Sequence, residues 1–438
     1  MNKYLLIIVF LMIRTVVLAV NAKDYGAKGD GIQDDSPFLN IAIAQALLLG
    51  EDLFIPAGTY TCNQLGSVKK ILIMDQLGVK KIRIYGETGT KITTSIDEGG
   101  IFYIYYQSEN VIIENIFFEN THGITLKQTN AIQLSGTNKN AIKNITIQNC
   151  TFEGFSTAIS ALGVNGFIIQ NNLFQSPKGH DNAQDNSQPA VYIWLADSPD
   201  GQCYNVKILN NTADGYSGND IAQTKTLRPM DGFLYGIGYG VYVNGNITRN
   251  FSEEHILLAP HKTNVDSKDS LLITGNKLYQ SIPVGSMKNG SLLGMNYGIR
   301  ADCNNVSISN NDFYDYSNGI LIYPFDYPLL TQHDYTVSGN RFYAAQSDPY
   351  TVNEAISVQA NPLNSASNIN VSGNQVTIVG IPGKSTHSII SVYNCKNVTI
   401  TNNTISGQNI DLKGHLLHGI LIENCQGIVN NGNQVTIK

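Results

Sequence analysis

Three residues of this 438-residue chain could carry acid–base chemistry on a bound ligand: Asp220, Arg300 and Asp302. Arg300 and Asp302 alternate in the segment YGIRAD, so an extended strand sends both side chains to one face. Asp220 follows Asn219 in GNDIA, and stands where comparable segments carry Ala158, Ala190, Gly240, Gly298, Gly319, Ala355 and Gly419. A local turn hydrogen bond is the plain reading of that exchange; a ligand-facing carboxylate is the sharper one. Two carboxyl groups, one protonated and one ionised, form the apparatus of glycosidic-bond hydrolysis. Asp220 with Asp302 is the expected pair, with Asp214 and Asp231 in reserve. Arg300 would hold one carboxylate ionised while an aromatic wall raises the pKa of the other. Hydrolysis of this kind needs no cofactor. Elimination beside a uronate is the alternative: Arg300, a very weak acid, would have to act as base, and calcium could take part. A third alternative is binding without catalysis, which needs no close carboxyl pair.

Aromatic residues accompany these groups. Tyr192 and Trp194 are expected to face outward from AVYIW, Tyr239 and Tyr242 from YGVYVN, and Tyr297 from YGIRAD. Aromatic rings suit the apolar faces of sugars, and Asn219, like the Asp and Arg groups, suits hydroxyls. Trp194 is the single tryptophan and the preferred sugar platform. No metal site is expected, because His180, His255 and His261 lack zinc-ligand spacing and the six cysteines are dispersed.

The element that must position these groups is a repeat. The phrases IIENIFF, ITIQNCTF, FIIQNNLF, VKILNNTA, LLITGNKL, VSISNNDF, YTVSGNRF, INVSGNQV, VTITNNTI and NNGNQV recur mostly 22 to 39 residues apart. Each is a β-branched strand, a turn and a further apolar residue. The first turn position holds only Asn or Gly, the residues that tolerate a left-handed backbone. The next position holds Asn172, Asn211, Asn276, Asn311, Asn340, Asn374, Asn403 and Asn433, which predicts a ladder of stacked amides. A second strand follows each turn, so the fold class is all-β: a right-handed parallel β-helix of about ten or more coils. Cys203, Cys303, Cys395 and Cys425 precede the first strand and are read as small core residues, with a Cys395–Cys425 disulfide as an alternative. The interval from Asn211 to Asn276 is twice the usual length, so 212–268 is expected to hold an irregular coil and loops.

The N-terminus adds a start and a lid. Lys3, the apolar run Leu5 to Ile13 and the small residues near Ala22 read as a cleaved export signal over residues 1–22. Residues 23–438 then form one β-helix domain outside the cytoplasm, secreted or periplasmic, with no lasting membrane insertion. Within the cap, about 23–64, Asp35 or Ser36, Pro37 and Gly50 bound a helix over 36–49 that covers the open end of the stack. The acidic GDGIQDD stretch lacks the ligand spacing of an EF-hand and reads as turn and cap. A net charge of −6 without any Lys/Arg run excludes nucleic acid as the expected partner.

DYGAKGDGIQDD, an amphipathic helix and IPAGTY together resemble the N-terminal signature of the pectate-lyase-like β-helix superfamily, in its polygalacturonase-like and tailspike-like branches. The Asn-rich coils extend the likeness over nearly all of residues 23–438. The resemblance implies a right-handed parallel β-helix and a polysaccharide partner, and it spans hydrolases, lyases, epimerases and adhesive tail proteins. Asn211-Thr212-Ala213-Asp214-Gly215 and Gly218-Asn219-Asp220 are similar to polygalacturonase catalytic segments, but Gly-His-Gly and Arg-Ile-Lys are missing. The expected function is therefore a secreted glycoside hydrolase on a plant or microbial polysaccharide, with a pectate-lyase-type enzyme or a glycan-binding adhesin as alternatives.

Overall fold

The computed structural model describes residues 19–63, 70–74, 81–122, 128–175, 191–196, 201–215, 231–236, 238–251, 254–259, 270–280, 297–316, 318–323, 333–345, 354–362, 365–379, 388–408 and 418–437. These residues wind into a right-handed parallel β-helix, as the repeat predicts. Three parallel sheets run its length, two of 14 strands and one of 12. Each regular coil contributes a strand to the first sheet, a sharp turn, a strand to the second, and a strand to the third.

The turn between the first two sheets repays the Asn/Gly restriction. Asn115, Asn149, Asn171, Asn210, Asn310 and Asn402 all have φ between 53° and 59°, and Gly245, Gly275, Gly339, Gly373 and Gly432 take the same left-handed region. One residue on, the amides stack. Asn374 Nδ2 donates to Asn403 Oδ1 at 2.9 Å and to Val337 O at 2.9 Å, and its backbone N–H donates to the same Asn403 oxygen at 3.0 Å. Identical bonding links Asn172, Asn211, Asn246, Asn276, Asn311 and Asn340 in order. Asn433 is the last rung, and Cys150 N–H donates to Asn172 at the other end.

The extra coil expected within 212–268 is present, and Asn246 shows it to be regular rather than irregular. The segment 212–268 contains a regular turn, Asn244-Gly245-Asn246, between strands Gly238–Asn244 and Ile247–Arg249. The coil continues the ladder in register.

The core is filled by like residues in columns. Ile113, Ile147, Ile169, Ile208, Val243, Ile273 and Ile308 are fully buried behind the first sheet. Behind the second sheet the rings of Phe118, Phe152 and Phe174 stack at 5.3 and 5.0 Å, and Phe313 stacks on Phe342 at 4.5 Å. The small residues opening third-sheet strands follow from these rings. A Cβ on Gly298 would stand 2.7 Å from Phe313, and one on Gly319 would stand 2.5 Å from Phe342. Small residues there make room for phenyl rings.

Helix α1, Ser36–Leu49, closes one end with its buried face, Leu39, Ala42, Ile43 and Ala46. Its bounds match the sequence reading, including Gly50 in the left-handed C-cap. Asp35 does not cap through its side chain; its carboxylate instead accepts Lys28 N–H at 2.8 Å and Gly29 N–H at 3.1 Å, pinning the preceding loop. Val20 and Asn21 pair with Leu53 and Phe54, and Ala22 is fully buried, so residues at the expected cleavage point take part in the fold.

Candidate functional site

The outer face of the third sheet gathers the charged groups. Arg300 lies on the strand Tyr297–Ala301, beside Leu257 of one neighbouring strand and Leu321 of the other. Asp302 follows the strand. The Arg300 guanidinium donates through Nη2 to Asp302 Oδ2 at 2.8 Å and through Nε to both carboxylate oxygens at 3.1 and 3.2 Å. Nη1 of the same guanidinium lies 4.0 Å from Glu254 Oε1. The two carboxylates are buried, whereas Arg300 stays partly open to solvent. One guanidinium thus lies against both carboxylates.

Glu254 is held from its other side. The Tyr235 hydroxyl donates to Glu254 Oε2 at 2.6 Å and accepts the Glu254 backbone N–H at 3.0 Å. Tyr235 lies in register with Trp194 on the next coil. Trp194 faces outward and is half-buried, as expected. Tyr297 sits at the start of the Arg300 strand and is buried; burial first, and then the charge of Glu354, push its phenol well above the ordinary range, while Arg300 opposes the rise. The Tyr323 ring lies under Arg300 at 5.3 Å.

Two strands beyond Arg300, Glu354 forms a second polar node. Its Oε1 accepts Ser391 Oγ at 2.7 Å and Ser388 Oγ at 3.2 Å. Ser357 and Ser391 hydroxyls meet at 2.9 Å, and Gln359 Nε2 donates to Ser357 at 2.8 Å.

Several sequence-based assignments change. Tyr192 does not face outward: it is fully buried against Phe174 at 5.3 Å, with its hydroxyl donating to Asp214 O at 2.6 Å. The reason is a gap in the phenyl column, where Ala213 follows Phe174 in register. Tyr192 fills the missing volume. Tyr239 and Tyr242 lie on the first sheet, in the strand Gly238–Asn244, which pairs with Cys203–Leu209. They therefore do not share the Arg300 face, and Tyr239 stacks on Tyr204 at 5.1 Å. Gly240 likewise leaves the proposed small-residue column. Asp214 belongs to the second sheet. Asn219 and Asp220 lie outside the described residues.

Glu254, Tyr235 and Glu354 escaped the sequence reading. A usable signal existed: Glu254-His255-Ile256 has the same place relative to its strand as Tyr297-Gly298-Ile299 and Glu354-Ala355-Ile356. In that register the first residue faces out. His255 then takes the inward position, where Nδ1 pairs with Thr248 Oγ1 at 2.8 Å and Nε2 with Gln280 Oε1 at 3.2 Å. Burial lowers its pKa to about 4, so the ring is neutral near neutrality. Among the described residues no cluster of His, Cys, Asp and Glu could hold a metal ion.

Comparison with known proteins agrees with this architecture. A family model described as rhamnogalacturonase A/epimerase, pectate lyase-like, matches residues 19–65, the segment of the N-terminal signature. The plasmin and fibronectin-binding protein A of Streptococcus pneumoniae is 28% identical over 198 residues, which are 40% of this chain and 27% of that protein. The chain thus spans about a quarter of the length of that curated relative. A solved structure of the pneumococcal surface protein and adhesin PfbA superimposes with a TM-score of 0.55 at 16% identity, covering 96% of this chain and 100% of the other. The family 28 exopolygalacturonase of Yersinia enterocolitica gives 0.61 at 12% identity, covering 94% and 78%. Identities this low speak for the fold alone: with the three-sheet geometry they show a right-handed parallel β-helix, and the family model matches its N-terminal segment.

Proposed function

We propose that this chain is an extracellular polysaccharide-active protein that hydrolyses a glycosidic bond on the outer face of the third sheet. The observation that carries this reading is the Glu254–Arg300–Asp302 cluster, two carboxylates bridged by one guanidinium beside a tyrosine hydroxyl. Hydrolysis requires one carboxyl to protonate the leaving oxygen and another to activate water or attack the sugar. Glu254 and Asp302 supply the two groups. Arg300 is better suited to a fixed cation than to a base, since a guanidinium flanked by carboxylates stays charged. In that role it would also attract a uronate. Trp194 offers a ring face for a sugar on one side, and the serine-held Glu354 offers an acceptor for hydroxyls on the other.

Asp220 remains the sequence-based partner for Asp302, and it competes with Glu254 for that role. The decisive experiment follows reducing ends and unsaturated-product absorbance together on defined polysaccharides, for the wild-type chain and for Glu254→Gln and Asp220→Asn. Reducing ends alone, lost in Glu254→Gln, support the proposal. Loss only in Asp220→Asn transfers the second carboxyl to Asp220. Appearance of unsaturated product overturns hydrolysis in favour of elimination.

A binding-only reading has one observation of its own: the relative that aligns over 198 residues is named for plasmin and fibronectin binding. It predicts retention of glycan or protein ligand with neither product signal. The export-like N-terminus and the surface location named for the pneumococcal adhesin both support a place outside the cell.

A further inference from the structure

Cys395 opens the strand Cys395–Thr401, and Cys425 directly precedes the strand Gln426–Asn431 of the next coil. The register Lys396 to Gln426 sets the two cysteines opposite one another. Adjacent strands lie about 4.8 Å apart, within the roughly 4.4–6.8 Å Cα separation a disulfide spans. Contact is already made: Cys395 N–H donates to Cys425 Sγ at 3.4 Å. Both thiols are free.

The pair differs from the other buried cysteines. Burial pushes the Cys150 thiol up to about 12 and Cys203 up to about 11, and raises Cys62 as well. Such thiols are inert. Cys425 stays partly open to solvent where Cys395 is buried, and contact with the Cys395 side chain holds its thiol below the ordinary range. The same contact, and then burial, raises Cys395, whose thiol donates to Tyr393 O at 3.1 Å. Cys425 is thus the thiol that a small disulfide reaches, and its buried neighbour is placed to resolve a mixed disulfide.

We propose that Cys395 and Cys425 form a redox-active pair that a low-molecular-weight disulfide converts into an intramolecular cystine. The Cys425 thiolate attacks one sulfur of the small disulfide, forming a mixed disulfide and expelling one small thiolate. Cys395 then loses its proton and attacks the Cys425 sulfur, expelling the second. Two protein thiols give up two electrons and two protons, and the small disulfide becomes two thiols. The bond ties together coils 30 residues apart in sequence. Ile428, Val429 and Val435 on the coil that Cys425 opens are 45–47% exposed. Gln426–Asn431 is the terminal strand of the first sheet, paired on one side only among the described residues. A covalent link there restricts the unfolded chain and holds the two coils together.

The test incubates the full chain with oxidised or reduced glutathione, blocks remaining thiols with N-ethylmaleimide, and maps peptides by mass. A 395–425 linked peptide, two hydrogens lighter than its reduced parts, is expected after oxidation and absent after reduction. The oxidised form should melt several degrees higher, and Cys425→Ser should fold but show no redox-dependent shift. Full alkylation of both cysteines after oxidation would overturn the pair. A linked peptide without any change in melting would overturn the stapling of the two coils.

Discussion

The turn between the first and second sheets and the outer face of the third sheet are built on the same coils, yet they obey opposite rules. At the turn, the coils from Asn115 onward repeat the same solution: a left-handed Asn or Gly, then in most coils a buried Asn bonded to its neighbours above and below. On the third sheet, successive coils present Trp194, Tyr235, Leu257, Arg300, Leu321 and Ser357 at one outward position. Repetition is what a stack needs for stability, since each rung satisfies the buried polar groups of the next. Departure from repetition is what a ligand needs, since a site must differ from its surroundings to be recognised. On the proposed function, the two regions separate stability from chemistry within a single coil.

Glu254→Gln should break this division most sharply. The amide keeps the shape and still accepts the Tyr235 hydroxyl, so folding should be retained. Turnover on a responsive polysaccharide should fall about 10²–10⁴-fold, the usual contribution of a positioned proton-transfer group. A variant that unfolds would place Glu254 with the structural rungs instead.

His255 sits at the boundary, inward-facing but adjacent to Glu254. Its folded pKa is lowered from 6.5 to about 4, so within that window the unfolded chain binds a proton that the folded chain refuses. Stability should therefore fall as pH drops from 6.5 to 4, by about 3 kcal/mol in total, and the slope from this group should vanish below pH 4. Denaturant titrations across that range, repeated with His255→Gln, isolate the contribution.

The ladder is tested by Asn374→Ala, which removes the side-chain donor to Asn403 Oδ1 and Val337 O and the acceptor of Asn340. A loss of about 1–3 kcal/mol is expected, with no change in ligand affinity. An unchanged denaturation midpoint would contradict the ladder's role in stability. The smallest effect belongs to Trp194→Ala. Removing a half-buried outward ring should weaken glycan binding by about tenfold, an aromatic contact of about 1.4 kcal/mol, with the midpoint nearly unmoved. Isothermal titration with a bound oligosaccharide reads it directly.

The sequence by itself determined the scaffold. A column restricted to Asn and Gly announces a left-handed backbone, and the amide column beside it announces stacking, because both are local demands repeated in every coil. The bounds of α1 were legible for the same reason: Pro37 and Gly50 act on their own backbone. The sequence also placed Arg300 and Asp302 together, since alternation within one strand is local. Other features were decided only in three dimensions. Gly245-Asn246 was hidden because YGVYVN reads equally well as a first or a second strand, and only pairing with Cys203–Leu209 assigns it to the first sheet. That assignment carries Tyr239 and Tyr242 away from Arg300. Tyr192 points inward because Ala213, 21 residues later in the chain, leaves a ring-sized gap beside Phe174. Glu254 becomes the partner of Arg300 only when coils stack, since 46 residues separate them in the chain. Local conformation follows from residue type, but which faces meet depends on the coil lengths and on the volumes that neighbouring coils leave open.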